Sequence, residues 1–124
     1  MAITSIRSFR NLIGGETYGV RNNEESQEPL IVASGEAKAC NMRIPWCNNQ
    51  GEFDKNHYII SAPYVQGTVP ARFAIWQEGD YVRYSRDSFF KPDGNLVPGN
   101  CTVGGDRSVE IVGTNIYDAD LRFF

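Results

Sequence analysis

Residues 71–86, ARFAIWQEGDYVRYSR, form the longest stretch of this chain in which period-2 alternation and turn chemistry agree. With Glu78-Gly79 as a two-residue loop, Gln77 faces Asp80, and the pairs run Trp76 to Tyr81, Ile75 to Val82, Ala74 to Arg83 and Phe73 to Tyr84. Alternation then sorts the hairpin into two faces. Phe73, Ile75, Val82 and Tyr84 share one side and supply a core, while Arg72, Trp76, Tyr81 and Arg83 share the other. A Trp–Tyr pair framed by two arginines is therefore expected on an outer, exposed face.

Working outward, the same two signals recur. Residues 3–9 are short, β-branched and aromatic, with imperfect alternation, and read as a strand. After Gly14-Gly15, Tyr18 and Val20 alternate with Thr17, Gly19 and Arg21, ahead of a polar loop over residues 21–28. Residues 30–33 read as a buried strand. In residues 37–44, Cys40, Met42 and Ile44 fall on one side, which makes Cys40 a core residue, and Pro45 ends the ladder. Residues 46–52, WCNNQGE, have loop composition, and residues 57–62 form another strand. Pro92-Asp93-Gly94 turns a second hairpin, since Pro presets the first turn dihedral and Gly accepts the left-handed position. Gly104-Gly105-Asp106 reads as a turn. Val109 and Ile111 alternate in one late strand, and Tyr117, Ala119, Leu121 and Phe123 in the last.

No 3.6-period stretch is long enough for a three-turn helix. The expected fold is thus all-β, a compact antiparallel β-sandwich or small barrel of about eight to ten short strands. Aromatic-Gly-strand segments at 9–18, 46–58 and 76–84 hint at a three-fold repeat, which keeps a β-trefoil as the alternative. The 124 residues fit a single β-rich domain, because domains commonly run about 100–150 residues.

Composition narrows the function classes. Twelve Lys and Arg against 15 Asp and Glu give a formal net charge of −3, and the basic residues are scattered as single arginines. Nucleic-acid binding is not expected, since phosphate affinity comes from clustered positive charge. The first residues lack the apolar run of a signal peptide or membrane span, so the expectation is a cytoplasmic or non-classically exported chain without a transmembrane segment. Cys40, Cys47 and Cys101 are an odd, unclustered set, compatible with reduced buried thiols or with a Cys40–Cys47 bridge.

Catalytic and cofactor chemistry find little to stand on. His57 is the one histidine, with no CxxC or HxxxH spacing around it, so no metal site is expected. Asp118 and Asp120 share a face about 7 Å apart along a strand, but Arg122 beside them reads as ordinary surface neutralisation. No phosphate-cradling or dinucleotide-binding glycine motif is present, and no cofactor is expected.

Aromatic and amide groups remain. Trp and Tyr offer a flat apolar face with a polar edge, suited to stacking on a sugar ring or a protein partner, with Arg and Asn completing the hydrogen bonds. Trp76, Tyr81, Arg72 and Arg83 form one candidate ligand-binding surface. Trp46 with Asn48, Asn49 and Gln50, on the loop after Pro45, forms the second. The reading is a non-catalytic binding module, a small lectin-like carbohydrate-binding protein with a glycan or other surface ligand. The alternatives are a structural, self-assembling homo-oligomeric subunit that uses the same aromatic face, and a membrane-active, toxin-like β protein with Trp46, Trp76, Phe89-Phe90 and Phe123-Phe124 facing lipid.

Overall fold

In a computed structural model of the chain, the structure describes residues 3–22, 30–55, 57–63, 73–85, 95–114 and 119–124. Ten strands and one short helix follow in order: β1 (Thr4–Asn11), β2 (Tyr18–Asn22), β3 (Leu30–Val32), β4 (Ala37–Arg43), α1 (Gln50–Asp54), β5 (Ile59–Pro63), β6 (Phe73–Glu78), β7 (Tyr81–Ser85), β8 (Asn95–Leu96), β9 (Gly105–Val112) and β10 (Asp120–Phe123). Arg72, the Phe89-Phe90 pair, the Pro92-Asp93-Gly94 turn, Tyr117 and Asp118 lie outside the described residues, as do residues 23–28 of the expected loop, whose first two residues, Arg21 and Asn22, belong to β2 instead.

The strands build two sheets, ordered β10-β9-β1-β4 and β3-β2-β5-β6-β7-β8. Among the described residues neither sheet closes on itself, so the sandwich reading holds and the barrel and trefoil readings do not. The six-stranded sheet is antiparallel throughout. The other sheet corrects the antiparallel expectation, because β1 pairs with β9 in parallel. That pairing follows from the path of the chain. It leaves the four-stranded sheet after β1, returns for β4, leaves again for β5–β8, and comes back with β9 beside β1, which is the long crossover a parallel pair requires.

The broken alternation of residues 3–9 has a concrete cause. The register of β1 shifts between Ile6 and Ser8 against both neighbours, and Arg7 is the displaced residue, exposed and donating from Nε to Asp106 at 2.9 Å. This irregularity resets the phase, so that Ile6 and Phe9, three apart, both point inward.

Between the sheets sits the main core. Ile6, Phe9, Met42, Ile111 and Leu121 from one sheet meet Tyr18, Val20, Ile59, Phe73, Ile75 and Val82 from the other. Each large apolar side chain fully buried there contributes about 1.5–3 kcal/mol. Cys40 packs at the edge of this core, half-buried, with its thiol donating to the Ile6 carbonyl at 3.4 Å. Side-chain hydrogen bonds tie the sheets together, among them those from Asn11 to the Val32 carbonyl at 3.1 Å and from Asn22 to the Arg43 carbonyl at 2.9 Å. Tyr84 donates to Asp120 at 2.5 Å, and Thr4 donates to the Gln77 side-chain oxygen at 2.6 Å.

The decisive hairpin is present with its faces as expected and its register displaced. Observed pairs are Glu78 with Tyr81, Gln77 with Val82, Trp76 with Arg83 and Ile75 with Tyr84. The two-residue loop is therefore Gly79-Asp80, with Gly79 at φ 61°, a left-handed value that glycine adopts without steric cost. Each residue of β6 faces a residue two positions further along β7 than expected. A slip of two preserves every inward residue.

Candidate functional site

Trp76 is fully buried. This corrects the expectation of an exposed Trp76–Tyr81 pair. The outer face of β6 carries a cluster of its own, in which Cys47, Phe53, Ala74 and Trp76 pack with partly buried Tyr58. Phe53 meets Trp76 edge-on at 5.9 Å between ring centroids and stacks on Tyr58 at 4.4 Å. Phe53 comes from α1, which begins inside the 46–52 stretch that reads as loop from its composition and runs two residues past it. That helix begins at an identifiable cap. The Asn49 side chain accepts from the Glu52 backbone N–H at 2.8 Å, and Glu52 Oε1 accepts in return from the Asn48 N–H at 3.0 Å and from Asn49 Nδ2 at 3.3 Å.

Of the remaining members of the first candidate surface, Tyr81 and Arg83 are described, and they stay together with Trp76 in a polar row. Trp76 Nε1 donates to Glu78 Oε1 at 3.0 Å, Arg83 Nε lies 3.9 Å from Glu78 Oε2, and the Arg83 guanidinium sits 6.0 Å from the Tyr81 ring centroid. Tyr81 is exposed, as expected, and Arg83 is half-buried. The aromatic ring that this surface offers is Tyr81 alone.

The second candidate surface keeps its aromatic. Pro45, Trp46 and Cys47 run alongside the end of β6, beyond the point where β5 stops, with Gln77 N–H donating to the Pro45 carbonyl at 2.8 Å and Cys47 N–H to the Gln77 carbonyl at 2.9 Å. Gln77 fixes this segment a third time, its side-chain Nε2 donating to the Ile44 carbonyl at 2.8 Å. Its Oε1 accepts from Thr4, whose hydroxyl in turn accepts from the Gly104 N–H at 2.6 Å. A fully buried amide, hydrogen-bonded through both its oxygen and its nitrogen, thus sets the position of Trp46.

Half-buried Trp46 forms one wall of a depression of about 420 Å³, lined also by Ile3, Arg43, Ile44, Pro45, Glu52, His57 and Gln77. The volume lies in the range of about 300–1,000 Å³ typical of small-ligand sites. Glu52 Oε2 lies 3.8 Å from His57 Nδ1, which turns the carboxylate toward its own loop. Asn49 and Gln50, expected as ligand contacts, hold the helix instead: Asn49 caps it, and Gln50 Nε2 donates to Asp54 at 2.8 Å, one turn along. Asn48 is exposed beside the depression's Glu52, to which its N–H is bound.

Sequence reasoning missed Arg43, Glu52 and His57 as a group, because they come from three separate elements. One signal was present. Asn49-Gln50-Gly51-Glu52 has the spacing of a helix cap, which would have placed Glu52 at the start of a helix.

Burial pushes the Cys47 thiol up to about 11, with the Glu52, Glu78 and Asp54 carboxylates adding to the effect. It is therefore a protonated, apolar member of the outer cluster. All three cysteines are free thiols, which resolves the Cys40–Cys47 alternative. Among the described residues no group of three or more His, Cys, Asp or Glu side chains could hold a metal ion, and no helix is long and apolar enough to cross a membrane. No protein family, curated protein or solved structure matches the chain.

Proposed function

We propose that this chain is a non-catalytic binding module of lectin type, and that its ligand site is the Trp46 depression. The observation that carries this reading is the placement of a half-buried indole, held by backbone pairing to Gln77, in the wall of a depression of about 420 Å³ that also gathers Arg43, Glu52 and His57. An aromatic face with nearby donors and acceptors matches a sugar, whose ring has an apolar C–H face and a polar rim. Walls already fixed by hydrogen bonds lose little freedom when a ligand enters.

A glycan array probed with the wild-type chain, Trp46→Ala and Tyr81→Ala tests the reading. The expected result is a saccharide retained by the wild type and by Tyr81→Ala, and lost at least tenfold, about 1.4 kcal/mol, in Trp46→Ala. A chain that retains no glycan, or one whose binding is unchanged by Trp46→Ala, overturns it.

A second reading, a self-associating subunit, draws on Tyr81 and Leu96, exposed at 42% and 43%. Both lie on the outer face of β7 and β8, since Leu96 pairs with Arg83 and Arg83 alternates with Tyr81. Light scattering over a range of concentrations separates the readings, because a mass that stays monomeric removes this second one.

A further inference from the structure

We infer that Thr4 is a positioning residue of the Trp46 depression, acting through Gln77, and that the Gly104-Gly105 pair at the head of β9 sets the walls of the depression through it. It rests on the reading above that this depression is the ligand site.

Thr4 stands where the head of β9, the residue after β4 and the end of β6 come together. It is fully buried, and its hydroxyl accepts from the Gly104 N–H at 2.6 Å and donates to Gln77 Oε1 at 2.6 Å. Its carbonyl accepts from the Ile44 N–H at 2.9 Å, and the neighbouring Ile3 carbonyl accepts from the Gly105 N–H at 3.0 Å. Gly104 and Gly105 have φ of 106° and 83°, a range open to glycine, and their successive N–H groups both donate to Ile3-Thr4.

This chain of hydrogen bonds has one workable polarity. At one end the Gly104 N–H can only donate, and at the other the Ile44 carbonyl can only accept. Thr4 therefore accepts with its oxygen and gives its single hydroxyl proton to Gln77 Oε1, which leaves Gln77 Nε2 to reach the Ile44 carbonyl at 2.8 Å. A flipped amide would set Oε1 against that carbonyl, two acceptors face to face. With the side chain locked, the Gln77 backbone holds the residues on either side of Trp46, through the Pro45 carbonyl at 2.8 Å and the Cys47 N–H at 2.9 Å. Ile3, Ile44, Pro45 and Trp46 all line the depression, and all hang on the buried links that start at Gly104-Gly105. Position 4 thus needs a short side chain that donates and accepts at once. Serine meets that need. Valine keeps the shape and takes that partner away from two groups, the Gly104 N–H and Gln77 Oε1.

Amide hydrogen exchange followed by NMR on the full chain tests this, with Thr4→Val, Thr4→Ser and Val20→Ala, a core truncation in β2, which pairs with neither β1 nor β6. In Thr4→Val the Cys47 and Gln77 backbone N–H groups, which flank Trp46, should exchange about tenfold faster, the change that loss of one buried hydrogen bond brings. Thr4→Ser should keep wild-type exchange there. Val20→Ala should speed amides that open only with the whole fold and leave those two at their wild-type rates. In the wild type, with no substitution needed, the Gln77 Nε2 protons should exchange more slowly than those of a solvated glutamine. Fast exchange of those protons, unchanged Cys47 and Gln77 amides in Thr4→Val, no rescue by Thr4→Ser, or an equal effect of Val20→Ala on the two amides overturns the inference. On the glycan array Thr4→Val should hold more weakly whatever saccharide the wild type retains, because a wall no longer preset must be ordered as the ligand enters. Undiminished retention by Thr4→Val overturns the inference as well. An array left empty by the wild type overturns the saccharide reading alone, since the exchange rates report on Thr4 with no ligand present.

Discussion

Phe73 and Trp76 lie three residues apart on the same strand, both buried, and they are buried by different things. Phe73 belongs to the core between the sheets, closed by strands on both sides. Trp76 faces the opposite way and is closed by Phe53 and Tyr58, supplied by a five-residue helix and the segment that follows it. A strand's alternation tells which residues share a face. It does not tell what will cover that face, and here the outer cover is the same stretch of chain that builds the wall of the Trp46 depression. The difference between the clusters is therefore one of cooperativity: the inner one belongs to the whole fold, and the outer one belongs to a local flap.

The largest expected effect separates them directly. Phe73→Ala should destabilise the chain by about 3–5 kcal/mol, as measured by urea unfolding, with loss of protection across both sheets. Trp76→Ala should cost about 3 kcal/mol, the low end for such truncations, because the helix and its flanks can settle into the space left behind. Hydrogen exchange should then show lost protection concentrated in residues 47–58. If Trp76→Ala instead exposes both sheets as Phe73→Ala does, the two clusters form one cooperative unit and the comparison fails.

A pH titration sharpens the same distinction with a smaller effect. Each cluster holds a titratable group whose proton is retained more tightly in the folded chain. In the outer cluster Cys47 is raised from 9.0 to about 11, by burial first and neighbouring carboxylates second. In the core Tyr18 is raised from 10.0 to about 12, by burial first and the Glu16 carboxylate second. For a group raised in this direction, the unfolded chain loses its proton first as pH rises. The stability it contributes is full below the unfolded value and is lost on the way to the folded one. At about 1.4 kcal/mol per unit, each limb is worth about 2–3 kcal/mol. The outer limb should fall between pH 9 and 11, and the core limb between pH 10 and 12. Stability curves of Cys47→Ala and Tyr18→Phe should each lack one limb. Among the described residues the Tyr18 hydroxyl has no hydrogen-bond partner, so Tyr18→Phe should cost little at neutral pH, and a large loss there would overturn its place in this account.

How much of this was legible in the sequence depended on whether the deciding contacts were local. The two faces of β6 and β7 follow from alternation, and the all-β class from repeated short strands and turns. The slip of the hairpin register was not legible, because moving β7 by two residues returns every side chain to the same face. Only the turn distinguishes the two registers, through Gly79 at its first position. The parallel β1–β9 pair joins residues about a hundred positions apart and leaves no local pattern. The burial of Trp76 was missed for a related reason. Its cover comes from a helix of five residues, too short to show helical periodicity, although its cap was written in Asn49 and Glu52. The Trp46 site was half legible: the aromatic stood out, while Arg43, Glu52 and His57 are drawn together only by the fold.

The smallest effect tests the flap without leaving a hole in it. Asn49 caps α1 through one side-chain acceptor on the Glu52 N–H, and its own Nδ2 helps to hold the Glu52 carboxylate. Asn49 is exposed, so Asn49→Ala removes those bonds and opens no cavity. The expected cost is about 1 kcal/mol, read as a small drop in thermal midpoint, with the inter-sheet core unaffected. Asn49→Asp should restore the cap, since a carboxylate accepts the same N–H, but it sets a second negative charge beside Glu52 and removes the Nδ2 donor. Full rescue by Asp would mean that the cap bond alone matters. Partial rescue would mean that the neutral amide is required because its Nδ2 also holds the Glu52 carboxylate in place.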